Sequence, residues 1–346
     1  MTPKISVIVP AFNAEEHIAE TIDSVINQSI GFENLEIIIV DHKSSDNTTK
    51  ILKEYDKNFS NITAILLSKN LTGNPSYPRN LGMKHACGEY IMFMDADDMY
   101  ERDMCEKLYN LINKTDADFI SCRFKILERN NIKRVNYNFL EKDGDCLLFN
   151  SIFERPEIVY ASANMSIWNK IFRKKFLEDE NITYHKYAME DTIFMVDCYM
   201  ASNRFIILNN YAGYIYRSQR DPGASFSHTP SKERLTVAAK CVVYGYYKAK
   251  NALVDYTPHL NEILVNITVV FLDNELSNKE QKEILEIMKP MYKQYKWNNR
   301  FVNVSLVLNI FINIFMIIFK SNMNVALLIQ KIYKTLHLKK VVDKII

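Results

Sequence analysis

The sequence predicts an α/β protein with a mostly parallel sheet and flanking helices, followed by a helical C-terminal region. Residues 5–122 alternate short β-rich apolar runs with segments of helical period, which is typical of a parallel sheet covered by helices. Beyond about residue 231 the apolar residues recur at helical spacing. With 346 residues, 48% hydrophobic and 24% charged, the chain can bury a large core.

The first strands and helices can be placed from these patterns. Helix-spaced apolar residues start at Ile18 and again at Met104, while Asn13 and Glu16 predict a capping box before the first helix. Aromatic residues of irregular period follow residue 122. Strands are expected at residues 5–9, 35–40, 63–67, 90–94, 119–122, 205–208 and 214–216.

We expect three regions, at residues 1–122, 123–228 and 229–346, with the second adding strands to the sheet of the first. Lys and Arg total 43 and Asp and Glu total 41, so no general charge attracts nucleic acid. The sequence passes from Met1 directly into an apolar strand without a signal-peptide pattern, and we therefore expect a cytoplasmic protein.

Three carboxylates, Asp95, Asp97 and Asp98, directly follow the apolar run at 90–94. Ligands of open α/β sheets bind at the carboxyl ends of the strands. Carboxylates so close together repel one another, and their oxygens suit Mg²⁺ or Mn²⁺. The alternative is that Asp95 and Asp97 cap the next helix.

Other strand ends and loops carry further candidates. Asp41 ends the second strand and could accept hydrogen bonds from a nucleotide, or it could form an Asx turn. Phe12 could stack on a base or join the core. Arg79 could bind a diphosphate or a carboxylate, or it could lie on a solvated face.

Glu190 and Asp191 form a second acidic pair at the start of a helical run. An acid at a helix N-terminus is stabilised by the helix dipole, which is one interpretation. The other is a general base that takes a proton from an acceptor hydroxyl.

Read in order, these motifs resemble the inverting glycosyltransferases of family two, whose fold, called GT-A, contains a Rossmann-like sheet. The resemblance covers about residues 4–226 and extends to members that build bacterial or archaeal surface polysaccharides or wall polymers. It rests on Val7 to Glu15, Ile39 to Asp41, Ser45-Asp46, Arg79 to Gly82, Gly88 to Asp98, Trp168 to Lys170, Glu190-Asp191 and Tyr214 to Arg217.

The resemblance implies transfer of a sugar from a nucleotide-diphosphate donor, usually a uridine diphosphate sugar, to a hydroxyl of a glycan, wall polymer or lipid-linked acceptor. Residues 1–122 would bind the donor and residues 123–228 the acceptor. Asp97 with Asp95 would hold Mn²⁺ or Mg²⁺, and Asp191, aided by Glu190, would be the base. The donor-binding residues it implies are Pro10, Phe12, Asp41, Arg79, Asp95, Ala96, Arg217 and Ser225.

Two rival functions are a sugar-phosphate nucleotidyltransferase and a non-catalytic sugar-binding or scaffolding module of the same fold. A nucleotidyltransferase normally opens with a glycine-rich phosphate loop, whereas the first loop here, Pro10-Ala11-Phe12-Asn13, contains no glycine.

Residues 301–319 carry no charge and approach the roughly 20 residues that span a bilayer. Only basic charges occur between residues 287 and 342. Three alternatives stay open: a packed helix or self-association surface forming a homo-oligomer, peripheral contact of residues 301–340 with the inner face of the cell membrane, or a membrane span.

Overall fold

The computed structural model describes residues 2–70, 74–128, 131–134, 144–154, 166–185 and 190–218, and isolated positions 279, 283, 286, 287, 289 and 290. The chain divides into two compact units, the first being Met1–Arg155 with Ser162–Phe226 and the second Pro156–Ala161 with Ser227–Ile346. Every element below belongs to the first unit. The three-region division predicted from the sequence stays a prediction.

One mixed sheet organises the first unit, and short 3-10 turns occur at Phe32–Asn34 and Ile152–Glu154. The described helices are α1 (Ile18–Ile26), α2 (Thr48–Asn58), α3 (Ser76–His85), α4 (Met104–Ile112), α5 (Lys174–Asp179) and α6 (Glu190–Ala201). The described strands are β1 (Ile5–Ala11), β2 (Leu35–Asp41), β3 (Ile62–Leu66), β4 (Tyr90–Phe93), β5 (Met99–Tyr100), β6 (Phe119–Glu128), β7 (Asn131–Arg134), β8 (Cys146–Phe149), β9 (Lys170–Arg173) and β10 (Phe205–Arg217).

The strand order is β3-β2-β1-β4-β9-β6-β10-β5, with β7 paired to β6 and β8 to β10. The first four strands are parallel, β9 joins them antiparallel to β4 and β6, and β6 and β10 are parallel to each other. β1 lies between β2 and β4, so the chain leaves β1 toward one side and returns on the other. A crevice is expected at such a switch point, outside the carboxyl ends of β1 and β4.

Strand burial explains the sheet. β1 and β4 are apolar on both faces, with Val7, Ile8, Met92 and Phe93 fully buried, as expected for parallel strands covered by helices. A Cβ at Gly82 in α3 would overlap Cγ2 of Ile8, so glycine allows α3 to lie directly against β1. This contact fixes the helix that carries Arg79.

The predicted α/β class and the five N-terminal strands are confirmed. The two strands expected at 205–208 and 214–216 are instead one strand, β10, with register shifts between Leu208 and Ala212 and between Ala212 and Tyr214. Asn209 and Asn210, which follow Leu208, lie at this irregularity in the strand pairing, and the strand continues past them.

The capping box predicted from Asn13 and Glu16 is wrong. The residue before α1 is His17, and no side chain caps that helix. Asn13 has a positive φ of 47° and its Oδ1 accepts a hydrogen bond from the Ser45 backbone N–H at 2.8 Å. Its side chain therefore joins the β1 and β2 loops.

The 301–319 run lies outside the described residues. In the part of the chain that the structure describes, no helix is long and apolar enough to cross a membrane.

Candidate active site

The loop after β4 is held in one conformation by hydrogen bonds from α1 and β10. The Thr21 hydroxyl donates to the backbone oxygens of Ala96 and Asp98, at 3.0 and 2.9 Å. The buried Asp98 carboxylate accepts from the Tyr214 hydroxyl at 2.7 Å and from the Arg217 backbone N–H at 2.8 Å. The Asp98 carboxylate therefore holds the loop against β10.

The capping interpretation of Asp95 and Asp97 is wrong, because the short strand β5 separates them from α4 and Asp103 is the residue that precedes that helix. Burial, followed by the charges of Asp97 and Asp95, raises the pKa of Asp98. The loop thus concentrates negative charge at the end of β4.

The donor set of this loop fits a hard divalent cation. Asp95 and Asp97 are both half-buried and supply carboxylate oxygens, the ligands that Mg²⁺ and Mn²⁺ prefer. Among the described residues, no group of three His, Cys, Asp or Glu side chains could hold a metal by itself. One or two carboxylates completed by substrate phosphates is a usual arrangement for Mg²⁺.

Glu190 and Asp191, at the start of α6, lie at the same edge of the sheet as Asp95, and Arg79 is hydrogen-bonded to all three. One terminal nitrogen of Arg79 donates to Oδ1 of Asp95 at 2.8 Å. Its other terminal nitrogen donates to Oε1 of Glu190 at 3.0 Å and to Oδ1 of Asp191 at 2.6 Å. Arg79 therefore brings together carboxylates that lie about a hundred residues apart in sequence.

Burial and charge compete in this cluster. The Arg79 side chain is 3% exposed, against 27% for Asp191 and 28% for Asp95. Desolvation raises the pKa of Asp191, and the Arg79 guanidinium opposes that rise without cancelling it. One guanidinium facing three carboxylates leaves the cluster with a surplus of negative charge, which favours a bound proton or cation.

The ring of Tyr184 packs against the Arg79 guanidinium, and the side chain of Asn80 holds the Tyr184 backbone in place. The guanidinium carbon lies 5.4 Å from the centre of the Tyr184 ring, which stacks on Phe194 at 4.3 Å. The Asn80 side chain donates to the Tyr184 backbone oxygen at 2.7 Å and accepts from its N–H at 2.8 Å. Sequence reasoning missed both supporting residues; the Arg79-Asn80 pair was the only signal for Asn80, and Tyr184 had none.

Lys170 is a second buried cation that the sequence analysis gave no role. Its ammonium donates to the Ser166 backbone oxygen at 2.5 Å and to Oδ1 of Asn169 at 3.0 Å. Burial lowers the pKa of Lys170 to about 7. When protonated, Lys170 opposes the rise in the pKa of Asp191, as the Arg79 guanidinium does more strongly.

The β1 and β2 loops lie side by side, because the parallel register places Pro10 opposite Val40 and Ala11 opposite Asp41. Phe12 projects from the first loop with 53% of its surface exposed, so it is not part of the core. Of the residues expected to bind the donor, Pro10, Phe12 and Asp41 are thus neighbours here.

The Asp41 side chain bonds locally, as the alternative interpretation proposed, but the backbone N–H that it accepts from lies three residues on, so the bond does not form an Asx turn. Its Oδ1 accepts from the Ser44 hydroxyl at 2.5 Å and from the Ser44 backbone N–H at 3.1 Å, while its Oδ2 accepts from the Thr49 hydroxyl at 2.8 Å. The residue is 2% exposed. Asp41 therefore shapes the loop, and binding of a nucleotide by it stays a prediction.

Arg217 lies against the β4 loop. Its Nε donates to the Asp97 backbone oxygen at 2.9 Å, and a terminal nitrogen donates to Oε2 of Glu20 at 2.6 Å. Ala96 is 9% exposed in the same loop. Ser225 lies outside the described residues.

The comparisons with known proteins agree with this architecture. The family model described as glycosyl transferase family 2 matches residues 6–180. A poly(ribitol-phosphate) beta-glucosyltransferase of Bacillus spizizenii is 32% identical over 63% of this chain and 33% of its own length. The poly(ribitol-phosphate) beta-N-acetylglucosaminyltransferase TarP of Staphylococcus aureus is 30% identical over 61% of this chain and 62% of its own.

Two solved structures show the fold. S. aureus TarS in complex with UDP-GlcNAc superposes with a TM-score of 0.70 at 21% identity, covering 85% of this chain and 82% of that chain. The mannosyltransferase PcManGT of Pyrobaculum calidifontis, in complex with GDP-Man and Mn²⁺, gives a TM-score of 0.51 at 15% identity, covering 93% of this chain and 88% of that one. The GT-A fold expected from the resemblance is confirmed.

The chain spans about a third of the length of the first curated relatives that it matches. The family model, by contrast, covers half of this chain, from the first strand to the end of the α5 region. By that match the chain belongs to glycosyl transferase family 2.

Proposed function

We propose that this protein is an inverting glycosyltransferase that moves a sugar from a uridine diphosphate donor to a hydroxyl of a wall polymer or related glycan. The observation that carries the proposal is the meeting of Asp95, in the loop after β4, with Glu190 and Asp191 around Arg79. The names of the relatives support a wall-polymer acceptor. Membership of family 2 does not favour a nucleotidyltransferase.

The donor would lie across the carboxyl ends of β1, β2 and β4. We assign the nucleotide to Pro10, Phe12, Asp41 and Ala96, because their loops adjoin one another at this edge. The exposed Phe12 ring offers a stacking surface for a base. Arg217 and Ser225 are assigned to the diphosphate, and Arg217 already contacts the β4 loop.

Asp97 and Asp95 would hold Mn²⁺ or Mg²⁺ together with the diphosphate oxygens. When bound, the cation offsets the charge that develops on the leaving nucleotide without a proton transfer. Asp97 leads this pair, as the resemblance implies, and Asp95 supports it while its Oδ1 accepts a hydrogen bond from Arg79.

Asp191 is the general base. It would take the proton of the acceptor hydroxyl while the acceptor oxygen bonds to the sugar and the bond between the sugar and the diphosphate breaks. A carboxylate whose pKa is raised is the stronger base for this step. Glu190 accepts a hydrogen bond from the same guanidinium as Asp191, so the positive charge of Arg79 is shared between these two carboxylates.

Thermal unfolding tests the donor assignment. We expect uridine diphosphate with Mn²⁺ to stabilise the full chain, by about 2.7 kcal/mol at a hundred times the dissociation constant. Guanosine and cytidine diphosphates serve as controls. If no nucleotide shifts the unfolding transition, the proposed class of donor is overturned. If only guanosine diphosphate shifts it, the donor would be a guanosine diphosphate sugar instead of a uridine diphosphate sugar.

A further inference from the structure

The resemblance places Arg79 at the donor, whereas the interpretation as a carboxylate partner agrees with the structure: within the described residues, the hydrogen bonds of its guanidinium all end on carboxylates. The three partners are Asp95, Glu190 and Asp191, at 2.8, 3.0 and 2.6 Å. The side chain is 3% exposed. Reaching a base or diphosphate would require Arg79 to leave buried ion pairs, which is strongly unfavourable because it leaves uncompensated charges behind.

The element that carries Arg79 is fixed. Gly82, one helical turn further along α3, lies against Ile8 of β1 with no room for a Cβ. Asn80 bonds both backbone groups of Tyr184, whose ring lies beneath the guanidinium. The guanidinium is therefore a fixed point between the β4 loop and the first turn of α6.

Asp191 is bonded to this fixed point through Oδ1, and 27% of its side chain is exposed. This bond uses Oδ1, so Oδ2 is the oxygen we assign to the proton of an acceptor hydroxyl. Arginine suits this task because its planar fork engages several carboxylates at once, whereas a lysine is a point charge on a flexible stem.

We infer that Arg79 is a positioning residue that sets the distance between the general base Asp191 and the donor-side Asp95, rather than a ligand of the donor. The inference rests on the proposed function. It assigns the proton of the acceptor hydroxyl to Oδ2 of Asp191. The alignment of base and donor then depends on the Arg79 side chain, which bonds both Asp191 in α6 and Asp95 after β4.

The test compares Arg79→Lys and Arg79→Gln in the full chain by two readouts. Calorimetric titration with uridine diphosphate and Mn²⁺ measures the dissociation constant, and release of uridine diphosphate at saturating donor measures kcat. We expect the dissociation constant to stay within about threefold of wild type, while kcat falls about 10²-fold for lysine and further for glutamine. In Arg79→Gln the rise of kcat with pH should also move to higher pH, because the opposing positive charge is gone.

The matched control is Arg173→Gln. Arg173 also makes several contacts, to Glu89 at 3.5 Å and to the Tyr90 hydroxyl at 3.3 Å, but at the opposite end of β4. We expect both of its readouts to match wild type. A rise of about tenfold or more in the dissociation constant of Arg79→Lys, with kcat at saturating donor kept, would make Arg79 a donor ligand and overturn the inference.

A double-mutant cycle on urea unfolding, with Arg79→Gln and Asp191→Asn, separates this inference from the proposed function. If wild type neither binds nor turns over the donor, the proposed function fails, while coupling between the two substitutions still supports the positioning of Asp191 by Arg79. Additive effects would overturn this positioning role even in an active enzyme. If Arg79→Gln does not fold, Arg79→Lys takes its place in the cycle.

Discussion

Two carboxylates at the same edge of the sheet, Asp41 and Asp191, are held in different ways. The oxygens of Asp41 accept from neutral groups nearby in sequence, the Ser44 hydroxyl in its own loop and the Thr49 hydroxyl in the first turn of α2. Asp191 is bonded to a guanidinium that lies 112 residues away. Local neutral donors hold the Asp41 loop, whereas a distant cation joins the proposed base to the loop after β4.

The largest expected effect is a loss of turnover when Asp191, the proposed base, is replaced. Asp191→Asn keeps the shape of the side chain and removes the base, so we expect kcat to fall by about 10²- to 10⁴-fold. Binding of uridine diphosphate with Mn²⁺ should stay near the wild-type level. Steady-state kinetics with calorimetric titration measures both quantities, and equal loss of binding and turnover would contradict the division of roles.

The next effect concerns the metal loop. Asp97→Asn should abolish the thermal stabilisation by uridine diphosphate that depends on Mn²⁺, because a neutral amide is a poorer ligand for a hard cation. Asp103→Asn is the control, since Asp103 bonds Tyr211 and Lys107 outside the site. A Mn²⁺-dependent shift that survives in Asp97→Asn would remove Asp97 from the proposed metal site.

A third effect depends on pH. Asp191 must be deprotonated to accept a proton, and burial raises its pKa. We therefore expect kcat to increase with pH through a midpoint above the usual range of an aspartate and to level off beyond it. A pH profile of kcat at saturating donor measures this midpoint. A profile already level at pH 5 would mean that the base has an ordinary pKa.

The same raised pKa has a consequence for stability. Between the ordinary aspartate pKa and the raised one, the folded state binds more protons than the unfolded state. The contribution of Asp191 to stability should therefore decrease as pH rises through that window, and Asp191→Asn should remove this part of the pH dependence. Urea unfolding at several pH values checks the sign.

The smallest effect concerns the loop of Asp41. Thr49→Val deletes one donor to a buried oxygen and should cost about 1–3 kcal/mol of unfolding free energy. Thr63→Val, at an exposed position of β3, is the control and should change stability little. Urea unfolding measures both variants. Equal stability of Thr49→Val and wild type would show that the Asp41 loop does not depend on this bond.

Much of the fold was predictable because its signals are local. Continuous apolar runs mark β1 and β4, and carboxylates directly after a strand must lie at the carboxyl edge of the sheet. Local bonding by Asp41 was one of the two interpretations of that residue, although its backbone donor lies three residues on rather than the two of an Asx turn. The capping box failed for a related reason: Asn13 has a partner in the β2 loop that no local rule takes into account.

The centre of the site was not predictable in the same way. Asp95, Glu190 and Asp191 were each proposed from the sequence, but nothing in their spacing indicates that Arg79 joins them. The contact arises because α3 packs on β1, while β9 pairs with β4 and is followed along the chain by α6. Such pairings depend on tertiary contacts that periodicity does not encode.

The central claim is that Asp191 acts as the base of an inverting transfer. The most direct measurement is the anomeric configuration of the product, determined by NMR after incubating the full chain with α-linked uridine diphosphate sugars, Mn²⁺ and poly(ribitol phosphate). The account predicts a β-linked sugar on the polymer and none with Asp191→Asn. An α-linked product, or a β-linked product that forms equally well with Asp191→Asn, would contradict it.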